Sequence, residues 1–558
     1  MTGEKDPVTD SEKTSASPYA GRWVARVRGR IIAQGGTPEQ ALHAAQLSRY
    51  KEKPEIVYMP VPFLHSPLID KVHDALPNQE IYLVGGAVRD ILLNCLSRDF
   101  DFAVPSNGIS LARRVANALK ADFMVLDNER DTGRVIVTES DGTRIFLDFA
   151  TYRGNNLEED LRARDFTINA IAFDLRTQTL NDPLNGASDL HAKLIRECSP
   201  TSLSDDPVRV LRAVRLAAAF EFKIELETRK AMKQAAGLLP NVSSERQRDE
   251  LFKILEGPKP DAAMRALEIL GVLPHVLPEL SMLKGVEQSP PHVYDVWEHT
   301  LSVLGHLENL LSALAPGYDA DLTNDLFTGV LTLRIGRFSK KFAAHFAESL
   351  NLDRSVRAAL FFAALYHDVQ KPATKSVDET WRIRFFDHEV KGAEVAANRA
   401  RALNLSNDEV ERIRTVIKNH MRFHFFASRL EGDKQEPSRK AIYRFFRDSG
   451  KAGVDLVLLG LADLRGTRGH TLSQETWTAS LDVARILLEN YWERPQETVA
   501  PPRLLNGNDL MSELNLEEGR IVGQLLEAIR EAQATGKVET REQALDFARE
   551  YLKKSESS

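Results

Sequence analysis

The hydrophobic pattern changes its period along the chain. Up to about residue 200, short apolar runs such as Ile81 to Val84 occur between amphipathic segments, and Asp99 to Val104 begins with strict alternation of acidic and aromatic residues. A period of two is typical of a strand with one buried face. From Asp205 onward, apolar residues recur with a period near 3.6 and almost no strand pattern remains. The sequence therefore predicts a β-containing first part and a helical remainder.

The segment ahead of this β-containing part predicts an extension. Met1 to Pro18 is polar and charged, which is typical of disorder. A helical stretch is expected to about Tyr50, and a proline-rich linker is expected from Pro54 to Pro67.

Residues 81–104 contain the first candidate site. Gly85-Gly86 separates a predicted strand from a predicted helix, and the missing Cβ atoms let the backbone approach a phosphate closely. Alternation then places Asp99 and Asp101 on one strand face, where two carboxylates can share a divalent metal such as Mg²⁺. Each feature alone has an ordinary structural alternative, since glycine turns are common and an alternating Asp pair is usually a solvated strand face.

Together with Arg89-Asp90 on the intervening helix, these features resemble the signature of the nucleotidyltransferase superfamily, in the form found in class II tRNA nucleotidyltransferases and bacterial poly(A) polymerases. The resemblance implies an α+β fold, with a mixed β-sheet head followed by an all-α neck, an HD domain and a helical tail. It implies that Asp99 and Asp101 are catalytic Mg²⁺ ligands. It also implies that Gly85, Gly86 and Arg89 hold the triphosphate.

The segment Arg144 to Arg153, RIFLDFATYR, is predicted to be another strand. By the same resemblance Asp148 is the third catalytic carboxylate, at a position where the family more often has Glu. The alternative is an Asp at a strand end that only pairs with Arg153.

The segment Asp160 to Ala170, DLRARDFTINA, resembles the ribose-binding motif of the family, with Ala163 interrupting its usual doubled arginine. The resemblance implies that Arg164, Asp165 and Asn169 bind the incoming nucleotide. The alternative is a capped helix start, in which Asp165 is the cap and Asn169 bonds locally.

The segment Ser204 to Arg215, SDDPVRVLRAVR, is similar to the motif with which the family recognises the base of CTP or ATP, and Asp206 and Arg209 occupy its recognition positions. A carboxylate accepts from an exocyclic amine, and a guanidinium donates to ring acceptors. The alternative is that Asp206 is an N-cap ahead of Pro207, or only an i,i+3 partner of Arg209.

The C-terminal half contains histidines and aspartates in the order of an HD-superfamily phosphohydrolase, with an HD dipeptide at His367-Asp368. A lone histidine is usually structural, as is expected for His275 and His470, but an ordered set is a stronger signal. Imidazole with carboxylate suits Mn, Fe, Ni or Zn better than Mg alone. The resemblance implies a metal site formed by His299, His367, Asp368 and Asp463, with His388 and His420 available for a second metal.

Composition limits the partners. The chain has 558 residues, more than a single core usually serves, and a net charge of −7 gives no bulk attraction to RNA. Two cysteines exclude a disulfide framework, and neither a secretory segment nor a membrane span is recognisable, so the cytoplasm is expected and neither a membrane nor DNA is an expected partner. RNA would therefore need a local basic patch. The alternative is that the basic candidates are only solvated surface residues. These candidates are Arg22, Arg26, Arg28, Arg30, Lys223, Arg229, Lys230 and Lys233.

The resemblance implies a template-independent tRNA nucleotidyltransferase that adds C and A to tRNA 3′ ends from CTP and ATP, releasing pyrophosphate by two-metal catalysis. Poly(A) addition, CC-only addition and A-only addition are the alternatives within this class. From another class, the chain would be chiefly an HD phosphohydrolase with an RNA-binding head. The expected organisation is an extension and linker at 1–67, a head at 68–200, a neck at 201–275, an HD domain at 276–470 and an RNA-binding body at 471–558.

Overall fold

A computed structural model describes residues 22–47, 52–59, 67–95, 97–140, 142–318, 325–351 and 354–556. The segment Met1 to Pro18, expected to be disordered, lies outside these residues. The chain forms two compact units, Met1–Leu238 and Leu239–Ser558. Among the helices of the described residues, none combines the length and apolarity that crossing a membrane requires.

The first unit contains strands and short helices. Its strands are β1 Trp23–Val27, β2 Arg30–Gly35, β3 Glu55–Tyr58, β4 Tyr82–Val84, β5 Asp99–Val104, β6 Asp122–Asp127, β7 Thr132–Thr138, β8 Arg144–Thr151, β9 Ala172–Asp174, β10 Thr179–Asn181, β11 Leu194–Ile195 and β12 Lys223–Ile224. Its helices are α1 Pro38–Leu47, α2 Pro67–Ala75, α3 Gly86–Leu92, α4 Gly108–Leu119, α5 Leu157–Arg162, α6 Gly186–His191, α7 Ser202–Asp205, α8 Arg209–Phe220 and α9 Leu226–Ala236.

A seven-stranded mixed sheet with the order β10-β9-β4-β5-β8-β7-β6 forms the centre of this unit. The strands β5 and β8 pair in parallel, and the other neighbours are antiparallel. Alternation buries Phe100 and Phe102 in the core and leaves Asp99 and Asp101 exposed. Across the parallel pair, Phe102 stacks on Phe149 with ring centroids 4.7 Å apart. The mixed-sheet head expected from the sequence is confirmed.

The N-terminal extension corrects two predictions. Instead of a helical stretch to about Tyr50, the chain forms a three-stranded sheet of order β2-β1-β3, and helix α1 lies between β2 and β3 in the sequence. Strand β3 lies within the segment Pro54 to Pro67, which was predicted to be a linker. Val24 is fully buried in this sheet, and Trp23 Nε1 donates to the carbonyl of Leu180 at 3.2 Å. The short β-prone run forms a strand because β3, more than 25 residues away, supplies its partner, and tertiary pairing outweighs local propensity.

The second unit is mostly helical, as predicted. Its helices are α10 Ser244–Glu256, α11 Pro260–Ile269, α12 Leu273–Val276, α13 Val296–Ala313, α14 Leu326–Ile335, α15 Ser339–Ala347, α16 Val356–Tyr366, α17 Lys371–Thr374, α18 His388–Ala402, α19 Asn407–Asn419, α20 Met421–Asp433, α21 Arg439–Ser449, α22 Gly453–Arg468, α23 Gln474–Trp492, α24 Gly507–Leu514, α25 Arg520–Ala534 and α26 Arg541–Glu556. The sequence missed two short antiparallel pairs, β13 Ser349–Asn351 with β14 Arg354–Ser355, and β15 Lys375–Val377 with β16 Ile383–Phe385.

Helix α16 lies at the centre of this unit. Except for Arg357, every residue from Val356 to Tyr366 is buried, and a helix that is apolar on nearly all sides must be surrounded by others. The helix begins at Ser355, whose side chain accepts from the N–H of Ala358 at 3.3 Å, and its C-terminal end positions His367. Burial of α16 thus fixes the start of the histidine-aspartate site.

A buried ion pair joins β14 to α19. Arg354 donates to both carboxylate oxygens of Glu409, at 2.6 and 3.0 Å, and the Glu409 side chain is 1% exposed. Burial alone raises the pKa of Glu409, but hydrogen bonds from Arg354 and from Ser406 lower it below the ordinary value. The carboxylate is therefore ionised in the folded protein at neutral pH.

We expect Glu409→Gln to destabilise the second unit by about 3 kcal/mol at neutral pH, because Arg354 would stay buried without its counter-charge. Since the folded pKa lies below the unfolded value of about 4.3, the pair stabilises above that pH and loses its contribution as the pH falls through the folded pKa. Urea denaturation at several pH values measures both effects. Glu411→Gln, on the same helix but 66% exposed, is the control, and an equal effect there would contradict the interpretation.

Candidate functional site

The turn between β4 and α3 brings the backbone against charged side chains. Gly85 has φ 75°, in the left-handed region that favours glycine. A Cβ atom there would lie 3.1 Å from Asp101 Oδ2 and 3.2 Å from Arg164 Nη1. Glycine at this position therefore allows the turn, the carboxylate and the guanidinium to meet.

The parallel register of β5 and β8 places Asp101 directly opposite Asp148, and Asp99 opposite Phe146. The alternative supposed that Asp148 only pairs with Arg153, and the structure has a different partner. Asp148 accepts two hydrogen bonds of 2.7 Å from Nε and Nη2 of Arg134, its neighbour on β7. The third carboxylate is thus held by a bidentate ion pair.

The carboxylates influence one another. The pKa of Asp101 is raised, chiefly by reduced hydration and further by the charges of Asp148 and Asp99, while Arg164 and Arg134 oppose the rise. A cation bound at this sheet face would relieve that repulsion. The charge distribution therefore suits a positively charged ligand. A divalent metal fits these carboxylates for that reason.

Beside the carboxylates, a chain of hydrogen bonds links three elements. Arg89 donates to Asn169 Oδ1 at 2.7 Å, Asn169 Nδ2 donates to Asp165 Oδ1 at 3.0 Å, and Arg212 donates to Asp165 Oδ2 at 3.2 Å. Burial opposes ionisation of Asp165, but Arg212 and the Asn169 amide lower its pKa. Asp165 also accepts from the N–H of Phe166, while the following short helix, Thr167–Asn169, has no side-chain cap. Asn169 thus bonds locally, as the alternative supposed, but Asp165 does not cap a helix.

Arg209 is bound to the loop that carries the ribose motif. Its guanidinium donates to the carbonyls of Ala163, Arg164 and Ser202 at 3.0 to 3.2 Å, and its buried Nε has no hydrogen-bond partner. Asp206 Oδ2 lies 3.8 Å from that Nε, so the i,i+3 pair exists. The N-cap of α8 is Val208 rather than Asp206, because the helix begins at Arg209, after Pro207.

In the second unit the six predicted residues lie together, and four histidines among them converge on Asp368. Its Oδ2 lies 3.3 Å from His299 Nε2 and 3.1 Å from His367 Nε2, while its Oδ1 lies 3.3 Å from His388 Nε2 and 3.9 Å from His420 Nε2. Asp463 Oδ1 lies 3.1 Å from His299 Nε2. We call these residues the HD cluster: His299, His367, Asp368, His388, His420 and Asp463.

Three of the four imidazoles of the HD cluster are oriented by the backbone, whereas Nδ1 of His299 is buried without a hydrogen-bond partner. Nδ1 of His367, His388 and His420 lies 2.7 Å from the carbonyls of Ala364, Phe385 and Ile417 respectively. An Nδ1–H bond of this kind leaves Nε2 as a lone-pair donor. Both Asp368 oxygens are buried without a hydrogen bond of normal geometry, although Lys371 Nζ lies 2.6 Å from Oδ2. This donor set fits two divalent metals bridged by Asp368.

Two groups of three close potential ligands occur among the described residues, His299-His367-Asp368 and Asp368-His388-His420, both in the HD cluster. Among the described residues, Asp99, Asp101 and Asp148 do not form such a group. Both oxygens of Asp148 accept from Arg134 instead.

Sequence reasoning missed several residues of these sites. Arg134 could have been found from its alternation on the strand paired with β8, and Arg212 from its i+3 spacing after Arg209. His424 Nε2 lies 2.7 Å from Asp463 Oδ2, and Lys371 contacts Asp368. His424 stands one helical turn after His420, which was a usable signal.

Family models match three parts of the chain. The poly A polymerase head domain matches residues 81–196, a probable RNA and SrmB-binding site of polymerase A matches 221–283, and the HD domain matches 333–445. An A-adding tRNA nucleotidyltransferase of Deinococcus radiodurans is 33% identical, covering 85% of this chain and 96% of the relative. A CC-adding tRNA nucleotidyltransferase of Thermus thermophilus is 32% identical, covering 84% and 93%.

Among solved structures, a CCA-adding enzyme complexed with CTP has a TM-score of 0.53 and 21% identity, covering 87% of this chain and 94% of that one. At this identity the likeness shows the fold. The fold and the matched domains define an enzyme of the nucleotidyltransferase class that carries an HD domain. More particularly, the chain belongs to the family of tRNA nucleotidyltransferases.

We expect Gly85→Ala to lower the rate of nucleotidyl transfer by about 100-fold, because the new Cβ would displace Asp101 or Arg164 from its place. Single-turnover incorporation measures the rate, and thermal unfolding measures stability. The control is Gly271→Ala, whose φ of 74° carries the same backbone strain but whose Cβ would meet no atom within 4 Å. Equal loss of activity in both variants would contradict a specific role of the close approach.

Proposed function

We propose that this chain adds C and A to the 3′ ends of tRNA from CTP and ATP, with release of pyrophosphate. The observation that carries the proposal is the shared site formed by the Gly85 turn, Asp101 and Arg164. Relatives named for A addition and for CC addition have similar identity to this chain, 33% and 32%, so both nucleotides enter the proposal.

In this proposal Asp99 and Asp101 bind Mg²⁺ and Asp148 supports them. When bound, Mg²⁺ supplies charge stabilisation for the attacking and leaving oxygens. The primer 3′-OH gives its proton to a carboxylate of Asp99 or Asp101 on β5. Gly85, Gly86 and Arg89 bind the triphosphate, which is supported by the N–H groups of this turn at the start of α3.

Recognition of the ribose and of the base is assigned to the ribose motif and to the start of α8. Arg164, Asp165 and Asn169 contact the ribose, and the link from Asn169 to Arg89 supports a connection between ribose and triphosphate binding. Asp206, which is partly exposed, accepts from the exocyclic amine of cytosine or adenine. Arg209 donates to the base after exchanging part of its backbone contacts, and otherwise holds the loop.

An extension assay tests the first function. Purified protein with Mg²⁺ receives tRNAs that end before CCA, after C or after CC, with CTP, ATP or both, and products are resolved to single nucleotides. We expect addition to stop at CCA, and we expect Asp101→Asn to abolish it, whereas Asp122→Asn, at an exposed Asp of the same sheet, leaves it intact. Addition of only CC or only A would favour a specialised enzyme, and a growing A tail would favour a poly(A) polymerase.

We infer a second function, a metal-dependent phosphohydrolase at the HD cluster. It is supported by the buried oxygens of Asp368 without hydrogen bonds and by the converging imidazole Nε2 atoms. Mn, Fe, Ni and Zn suit these ligands. The reaction adds water across a phosphate ester bond, leaving a phosphate and a hydroxyl group.

Metal analysis tests this second function. We expect the purified wild type to bind a divalent transition metal and His367→Ala to lose most of it together with phosphoesterase activity, while nucleotidyl transfer is retained. His470→Ala, at an exposed histidine outside the HD cluster, is the control. A wild type that binds none of these metals and hydrolyses no phosphate ester would overturn the proposal.

The domain organisation is proposed as expected from the sequence, with a head at 68–200, a neck at 201–275, an HD domain at 276–470 and an RNA-binding body at 471–558. Matches of separate family domains to 81–196, 221–283 and 333–445 support this order. We also infer action in the cytoplasm, where a tRNA substrate would be met.

A further inference from the structure

Three Phe and Trp side chains are largely exposed among the described residues. Trp381 is 88% exposed, Phe386 69% and Phe425 66%. Trp381 and Phe386 lie shortly before His388, and Phe425 follows His420 and His424 on α20. Large exposed aromatic side chains that gather on segments carrying a functional cluster indicate an interaction surface.

Trp381 is presented by a hairpin that one aspartate organises. We call residues 375–386, which contain β15 and β16, the aromatic hairpin. Asp378 Oδ1 accepts from the N–H groups of Thr380 and Arg382 at 2.9 and 3.0 Å, and its Oδ2 accepts from Arg384 Nε at 3.0 Å.

The backbone of this turn is also unusual. Trp381 has φ 60°, a conformation that bulky residues seldom adopt, and its indole makes no ring contact or hydrogen bond to another part of the described chain. The turn therefore holds the ring in solvent at a backbone cost that packing does not explain.

The aromatic hairpin is tied to the HD cluster. The carbonyl of Phe385 lies 2.7 Å from Nδ1 of His388, and the Phe385 ring centroid lies 5.5 Å from Lys371 Nζ, which contacts Asp368. The N–H of Ile383 donates to Ser289 Oγ at 2.8 Å. A ligand on the hairpin would thus be positioned relative to the cluster through direct contacts.

The hairpin carries more cations than anions. Arg382 follows Trp381 directly and is exposed, as are Lys375 and Arg384 on the paired strands; Glu379 is also exposed, whereas Asp378 is engaged inside the turn. Exposed aromatic faces next to cations are the combination with which proteins hold unpaired nucleotides, by base stacking and phosphate contact. A purely apolar partner would not explain the neighbouring cations.

We propose that the aromatic hairpin is a base-stacking platform that holds the unpaired 3′ end of an RNA, so that its terminal phosphate ester lies at the HD cluster. The proposal rests on the phosphohydrolase function inferred above and names its substrate class. Trp381 contributes the first stacking face, and Lys375 and Arg382 contact the backbone phosphates.

Binding is tested with the full chain and a fluorescent single-stranded RNA hexamer that ends in a 3′-phosphate. We expect Trp381→Ala to weaken binding about tenfold, the size of one lost base-aromatic stack, and Trp381→Phe to retain affinity within about threefold. The matched control is Leu333→Ala, an 82% exposed apolar residue on α14, which should bind like the wild type. Stacking should also quench the wild-type tryptophan emission, and this quench should disappear in Trp381→Phe.

Two further measurements are needed. The first distinguishes base stacking from phosphate contact, and the second distinguishes the aromatic hairpin from the HD cluster. A hexamer with abasic 3′ residues should bind the wild type and Trp381→Ala equally. With bis(4-nitrophenyl) phosphate, Trp381→Ala should keep the wild-type rate, while its KM for the RNA phosphate rises about tenfold.

The outcomes are distinguishable. If the wild type hydrolyses neither substrate, the phosphohydrolase function fails, and the binding and quenching results still decide whether the platform exists. If Trp381→Ala keeps the RNA affinity and the RNA KM of the wild type, and RNA binding leaves the wild-type tryptophan emission unchanged, the platform is overturned, and the exposed aromatics belong to a partner of another class.

Discussion

The parallel pairing of β5 with β8 is the constraint on which the head depends. Its buried face is fixed by the stack of Phe102 on Phe149, and the side-chain period of a strand then puts Asp101 opposite Asp148 on the other face. A slip of one residue would exchange the two faces, burying carboxylates and exposing aromatic rings, so the core enforces the register. The close approach of Gly85 to Asp101 comes from the neighbouring antiparallel pair, in which Val84 of β4 lies opposite Asp101 of β5.

The two sites differ in how their carboxylates are stabilised. In the head, Asp99 and Asp101 lie on the exposed face of β5, and Asp148 is balanced by Arg134. In the HD cluster, Asp368 is 2% exposed and surrounded by imidazoles, where solvent cannot screen it. Burial alone raises the pKa of Asp368, but His367 and Lys371 hold it well below its ordinary range. A buried carboxylate of this kind needs cationic partners, and the imidazoles and Lys371 lie within contact distance of it.

Local features followed directly from the sequence. The strand, glycine turn and helix around Gly85 and the alternating carboxylates depend on neighbours a few residues away, and the structure has them at the expected positions. The ordered histidines predicted the HD cluster because helix-borne ligands keep their order and spacing. The extension was different: its apolar residues suited either period, and the pairing of β1 with β3 decided for a sheet.

By itself, the sequence determined the class of protein through its resemblance to a known family, and it predicted the strands, the glycine turn and the helices that carry the candidate residues, because backbone periods are local properties. Tertiary structure decided which partners those residues have. Arg134 rather than Arg153 neutralises Asp148, Arg209 binds loop carbonyls, and His424 supports Asp463. These contacts join residues up to 46 positions apart, and only the packing of strands and helices brings such residues within hydrogen-bond distance.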